Sequence, residues 1–170
     1  MVYAFDTENF TWCIPNISGM MPASRQQFQA VNDTINYIFD NLKFLRFGGF
    51  MSHSPGDALN DIYILDTLKF TWTQGSNVNA PTSRGDFTAT LINNGLILYL
   101  GGDNINIFKI TGGDEISPRI FHSAVLSPDG HVILYGGKGP TDQNELLASL
   151  DTTVNPYKWS AKPMIEKKTN

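Results

Sequence analysis

Three kinds of short string recur along this chain in one fixed order, so whatever it folds into must be assembled from copies of a single unit. RFGGF (46–50), YLGGD (99–103) and LYGGK (134–138) each end an apolar or aromatic run with a glycine pair: Gly48-Gly49, Gly101-Gly102 and Gly136-Gly137. FDTENFTW, LDTLKFTW and LDTTVNPYKW place Asp6, Asp66 and Asp151 shortly before Trp12, Trp72 and Trp159. PASR, PTSR and SPR put Arg25, Arg84 and Arg119 just ahead of the next apolar segment. A period of this kind is the signature of repeat architectures, in which each copy buries its apolar surface only by stacking on a neighbour.

The order of the marks defines the unit: Arg, strand a, turn, strand b, Gly-Gly, loop, strand c, Asp turn, strand d with its Trp. One full copy runs from Gln26 to Gly75, with NDIYILD as strand c and FTWTQ as strand d. A second fills 119–163. Asn94-Gly95 and Asp129-Gly130 predict two-residue a–b turns, which require positive φ at both central residues. Runs such as LILYL (96–100) and HVILY (131–135) are apolar at successive positions, as suits strands covered on both faces. The opening VYAFD and FTWCIP read as strands c and d of a further unit. In the middle unit, INIFKIT leaves room for one c-like strand and no Trp, and Gly112-Gly113 after it predicts a turn.

Composition narrows the classes. The chain has 170 residues, 41% hydrophobic and 12% aromatic, enough for a globular core. With 16% charged residues and a net charge of −4 it has no broad basic face, which argues against nucleic acid as a partner and against membrane contact by this segment. One cysteine, Cys13, excludes an internal disulfide framework.

With these motifs in register over most of its length, the chain resembles the kelch-repeat family of β-propellers, the fold type of the galactose oxidase central domain. The resemblance implies an all-β fold, a kelch-type propeller, here an incomplete arc of about three and a half four-stranded blades. Its parts are a half blade at 1–15, a blade at 26–75, a shortened blade at 85–113 and a blade at 119–163, all within a partial propeller at 1–165 followed by a tail at 166–170. The glycine pairs are expected to allow close backbone approach, and Trp12, Trp72 and Trp159 to wedge between blades. Such an arc leaves edges and apolar faces open, which predicts a piece of a longer protein or self-association through those openings.

Kelch propellers imply protein binding by loops at one end of the ring. The connections 50–60 and 138–145, between strands b and c, and 16–25 and 75–84, between strands d and a, are polar and rich in Gly, Pro, Ser and Asn. Within them His53, Asp57, Asp142 and Gln143 are the candidate partner contacts. The rival class is a fragment of a copper radical oxidase related to galactose oxidase, whose resemblance implies copper among Tyr and His side chains and a Tyr–Cys link. Cys13, His122 and His131 all sit at scaffold positions of the repeat, which leaves His53 alone, so no cofactor, metal or catalytic residue is assigned. No G-x-S-x-G or H-E-x-x-H motif is present. Localisation leans to the outer side of a membrane-anchored parent, with a cytoplasmic protein as the alternative.

Overall fold

The computed structural model describes residues 2–32, 43–52, 55–102, 112–140 and 146–163. The described chain is all-β: fourteen strands and a single 3-10 turn at Pro55–Asp57. The first pair, β1 (Ala4–Asp6) and β2 (Thr11–Cys13), forms a two-stranded antiparallel hairpin. β4 (Gln29–Asn32), β5 (Lys43–Phe47), β6 (Ile62–Asp66) and β7 (Thr71–Gln74) form an antiparallel meander, one complete blade. β8 (Phe87–Leu91) pairs with β9 (Ile97–Gly101) as a hairpin. A second complete blade contains β11 (Ile120–Leu126), β12 (His131–Lys138), β13 (Leu146–Asp151) and β14 (Lys158–Pro163). Blade 1 below is the β1–β2 half blade, blade 2 the β4–β7 meander, blade 3 the β8–β9 hairpin and blade 4 the β11–β14 meander.

Two further strands belong to these sheets, and neither was legible in the sequence. β3 (Ser18–Gly19) runs parallel along the outer strand β7, pairing Gly19 with Trp72. β10 (Gly112–Gly113) runs parallel along β14, pairing Gly113 with Trp159. Gly112-Gly113, expected as a turn, is therefore an edge strand of the following blade. The segment 16–25, expected as a connection between strands d and a, pairs with β7 at Ser18 and Gly19 before it reaches Arg25. Both glycines precede their Arg by six residues and both have left-handed φ, +86° at Gly19 and +88° at Gly113. A Cβ there would lie 2.1 Å from the Trp72 carbonyl oxygen or 2.2 Å from that of Trp159, so only glycine admits the pairing.

The Asp turns close the c–d hairpins by side-chain capping. The Asp66 carboxylate accepts from the backbone N–H groups of Leu68 (3.0 Å) and Lys69 (2.9 Å), and Asp6 accepts from Glu8 (2.8 Å) and Asn9 (3.0 Å) in the same way. Phe10 and Phe70 then take left-handed φ of 55° and 49°, re-entering the strand. Asp151 instead accepts from the N–H (2.9 Å) and hydroxyl (2.6 Å) of Thr153.

The a–b turns differ from expectation. Gly95 N–H donates to Ile92 C=O (3.0 Å) and Gly130 N–H to Ser127 C=O (3.0 Å), so the turns centre on Asn93-Asn94 and Pro128-Asp129. Only the glycines, φ +89° and +86°, are left-handed, in a bulge position. Pro128 explains the choice in blade 4, since its fixed φ suits the first central residue of a type I turn and forbids a mirror-image one.

The blades meet through their a strands, β4 against β8 and β8 against β11, and through their faces. Phe47 of blade 2 packs on Phe87 and Tyr99 of blade 3, with ring centroids 5.9 and 4.7 Å away. Ile92 and Leu100 of blade 3 join Val132, Leu134, Ala148, Leu150 and Trp159 of blade 4 in one buried cluster. Trp72 and Trp159 are buried, and Trp159 belongs to the cluster shared with blade 3. Trp12 is exposed among the described residues, with its ring centroid 5.0 Å from that of Phe5.

Candidate functional site

Antiparallel alternation puts the Asp turns and a–b turns at one end of the arc, and the arginines, glycine pairs, b–c loops and d–a connections at the other. At that second end the two most regular marks of the sequence are bonded to each other. Within each blade the arginine guanidinium donates to the carbonyl of the first glycine: Arg25 to Gly48 at 3.2 Å, Arg84 to Gly101 at 3.3 Å and Arg119 to Gly136 at 2.6 Å. Between blades the second glycine donates back, Gly49 N–H to Arg84 C=O at 2.9 Å and Gly102 N–H to Arg119 C=O at 3.0 Å. Arg84 and Arg119 thus each tie two blades, through the main chain to one and the side chain to the other. Thr82 and Ser117, two residues before these arginines, accept from their guanidinium groups at 3.1 and 2.9 Å. Arg25 is held differently, by a paired contact to the Asp61 carboxylate, whose second bond measures 3.0 Å, and by the Tyr63 ring 5.6 Å away. Burial lowers the Arg119 pKa from its ordinary value.

A second feature locks the same end. His122, three residues after Arg119, is buried where blades 3 and 4 meet, its Nε2 3.1 Å from both the Leu100 carbonyl and the Thr88 hydroxyl. Its Nδ1 is buried with no hydrogen-bond partner among the described residues. Desolvation pushes its pKa down to about 4, so the ring is neutral at physiological pH. Phe87 holds the same place after Arg84.

On this rigid base stands the loop between β5 and β6. Phe50 is buried under Gly85, where a Cβ would lie 2.0 Å from its ring, and bridges to Gln26 and Ala58. Leu59 N–H donates to Gly49 C=O at 2.9 Å and Arg84 N–H to Leu59 C=O at 3.2 Å. Beyond this base the chain presents Met51, Ser52 and Asp57, all exposed. Asp57, on the 3-10 turn, accepts from the Ser52 hydroxyl, and Met51 N–H donates to Asp57 C=O at 3.4 Å.

No protein-family model matches the chain. Among curated proteins, it is 29% identical over 171 residues to human Kelch domain-containing protein 1, covering 89% of this chain and 38% of that protein. It is 33% identical over 103 residues to rat Kelch domain-containing protein 3, covering 59% of this chain and 25% of that protein. A third relative, Acyl-CoA-binding domain-containing protein 4 of Arabidopsis thaliana, is 25% identical over 178 residues, 94% of this chain and 25% of that protein. The chain is an arc of kelch repeats. It spans between a quarter and two fifths of the length of these kelch relatives.

Of the four candidate contacts, Asp57 lies at the arginine end of the kelch arc, while His53, Asp142 and Gln143 fall outside the described residues. Met51 was not among the sequence candidates, because a lone methionine in a polar loop has no pattern; Phe50 beside it is buried and Met51 is exposed. Cys13 is exposed on β2, whereas His122 is sealed between kelch blades. Among the described residues no group of three His, Cys, Asp or Glu side chains is placed to hold a metal. His131 lies at the opposite end, with its ring nitrogens 3.4 Å from Asp129 and 4.0 Å from Asp151.

Proposed function

We propose that this kelch arc is a protein-binding module whose contact surface is the arginine end, with the β5–β6 loop as its principal element. The observation that carries the reading is that Met51 and Asp57, both exposed, are joined through the main chain, Met51 N–H to Asp57 C=O, on a loop whose base holds buried Phe50. A methionine is unbranched and polarisable and adapts to an apolar partner surface, and an acidic neighbour orients a basic group beside it. A pre-ordered loop base lowers the entropy lost on binding. The partner surface that fits is an apolar patch edged by Lys or Arg. His53, Asp142 and Gln143 belong to the same class of b–c connection and extend the proposed contact. The reading involves binding without catalysis, in keeping with the interaction role general to kelch modules.

A photo-crosslinking residue placed at Met51 tests this, with Leu68, exposed on the Asp66 turn at the opposite end, as the control position. A defined protein captured from Met51 and not from Leu68, and lost on Asp57→Lys, is the expected result. Equal capture from both positions, or none from Met51, overturns the assignment.

A further inference from the structure

We infer that Phe121 is a second contact residue for the partner proposed above, an aromatic anchor at the inner rim of the arginine end. The inference rests on that binding role. Its basis is a backbone conformation that recurs from blade to blade. The second residue after each arginine is Gln27, Asp86 or Phe121. All three are left-handed, with φ of 54°, 54° and 58°.

Strand register sets each of these residues opposite the second glycine of its pair, Gly49, Gly102 or Gly137, which is left-handed too. The carbonyl just before each, that of Gln26, Gly85 or Ile120, is turned onto that glycine, where a Cβ would meet it at 2.6, 2.8 or 2.7 Å. Between blades 2 and 3 the position also carries the seam, since Asp86 N–H donates to Gln27 C=O at 3.3 Å. The conformation is therefore a demand of the repeat, imposed whatever side chain stands there.

Such a demand favours glycine and, among other residues, Asn or Asp, whose short polar groups tolerate the left-handed region. Asp86 meets it, whereas Phe121 is strained. Phe10 and Phe70 are left-handed as well, but they are one residue type at one repeated position of the Asp turn. After the arginine the residue type changes from unit to unit, so the fold asks for the backbone and not for an aromatic ring. Burial does not offset the strain, because Phe121 is 64% exposed. Exposure belongs to the position itself: Gln27 is exposed although its main chain is bonded to blade 3 through Asp86.

A strained and exposed aromatic residue has no role in the fold to account for it, and residues of this kind gather at contact sites. The a strands β4, β8 and β11 adjoin one another along the inner edge of the blades, so Gln27, Asp86 and Phe121 succeed one another along the rim of the end that carries Met51 and Asp57. An aromatic ring offers a large apolar area with few rotatable bonds, and it matches the apolar patch of the proposed partner.

The test separates a binding role from a structural one by a substitution that suits the backbone, Phe121→Asn. Chains without a crosslinker compete for the protein captured by a photo-crosslinking residue at Met51. Phe121→Asn is expected to unfold at a denaturant concentration equal to or above that of the unmodified chain, and to compete only at about tenfold higher concentration or more. Leu68→Asn, at the opposite end, is expected to compete as the unmodified chain does. A crosslinker placed at Phe121 itself is expected to capture the same protein as one at Met51. A lower unfolding midpoint for Phe121→Asn marks the ring as structural and overturns the inference, as does a different protein, or none, captured from Phe121. Undiminished competition by Phe121→Asn, with capture from Met51 intact, strikes Phe121 alone and leaves the loop assignment standing. Absence of capture from Met51 overturns both.

Discussion

The main-chain N–H of Gly49 donates to the main-chain carbonyl of Arg84 at 2.9 Å, and this bond joins two blades whose marks lie thirty-five positions apart in the chain. It is repeated one blade on, from Gly102 to Arg119 at 3.0 Å. The guanidinium of each of these arginines completes the link by donating to the glycine pair of its own blade. The kelch signature is thus a hydrogen-bond ladder across blades, and the glycines recur because a side chain would displace the carbonyls they approach: a Cβ at Gly48 would lie 2.7 Å from Arg84 O, and one at Gly101 2.6 Å from Arg119 O.

Arg84→Ala is expected to destabilise the arc by about 2–4 kcal/mol, since it leaves the buried Gly101 carbonyl without its charged donor and opens a cavity. Arg84→Lys recovers little, because an ammonium cannot span Gly101 and Thr82 with a planar fork. Thermal or urea unfolding of the two variants checks the order.

Glycine substitutions separate steric need from mere conformational preference. Gly113→Ala places a methyl 2.2 Å from the Trp159 carbonyl oxygen and is expected to strip β10 from the edge of blade 4. Gly136→Ala, at φ +72° with no atom within 4 Å of the added methyl, meets backbone strain alone, about 1–2 kcal/mol. Denaturant midpoints should rank Gly113→Ala well below Gly136→Ala.

Equal repeat positions should respond unequally to truncation. Leu150→Ala is expected to cost about 2–4 kcal/mol. Phe5→Ala, at the same position of the exposed half blade, is expected to cost less than about 1 kcal/mol in dilute solution. A large penalty at Phe5 in the monomer would show that the face is covered.

Stability should fall on mild acidification through His122. Its pKa is 6.5 in the unfolded chain and about 4 when folded, so between those values the unfolded state holds the extra proton. Folding free energy is therefore lost as pH drops from about 6.5 towards 4, by at most ~3 kcal/mol. The capped Asp6, Asp66 and Asp151 have pKa values below their ordinary 3.8, held there chiefly by bonds from Asn9, Lys69 and Thr153 respectively, so their contribution is complete above that value and is lost only at lower pH. His122→Phe, which installs the residue found at the same position as Phe87, is expected to flatten the upper window and leave the lower one. Unfolding curves between pH 7 and pH 3 distinguish the two.

The sequence by itself determined the repeat unit, its strand order and its all-β character, because these are written in local and periodic signals: apolar runs, Asp turns, glycine pairs. It also placed Asp57 in the connection between strands b and c. Tertiary structure decided which copy of each mark is buried: Trp12 and Trp159 share a motif, yet Trp159 is buried against Ile92 and Leu100 of blade 3 and Trp12 is exposed among the described residues. It decided the edge strands at Gly19 and Gly113 as well, because a two-residue parallel pairing to a tryptophan dozens of positions away leaves no local pattern. In the middle unit both partners of that pairing are absent from the sequence: Val78 stands six residues before Arg84 and no Trp follows within 85–113. Contacts between units separated by tens of residues are set by stacking, and stacking exists only once the blades are assembled.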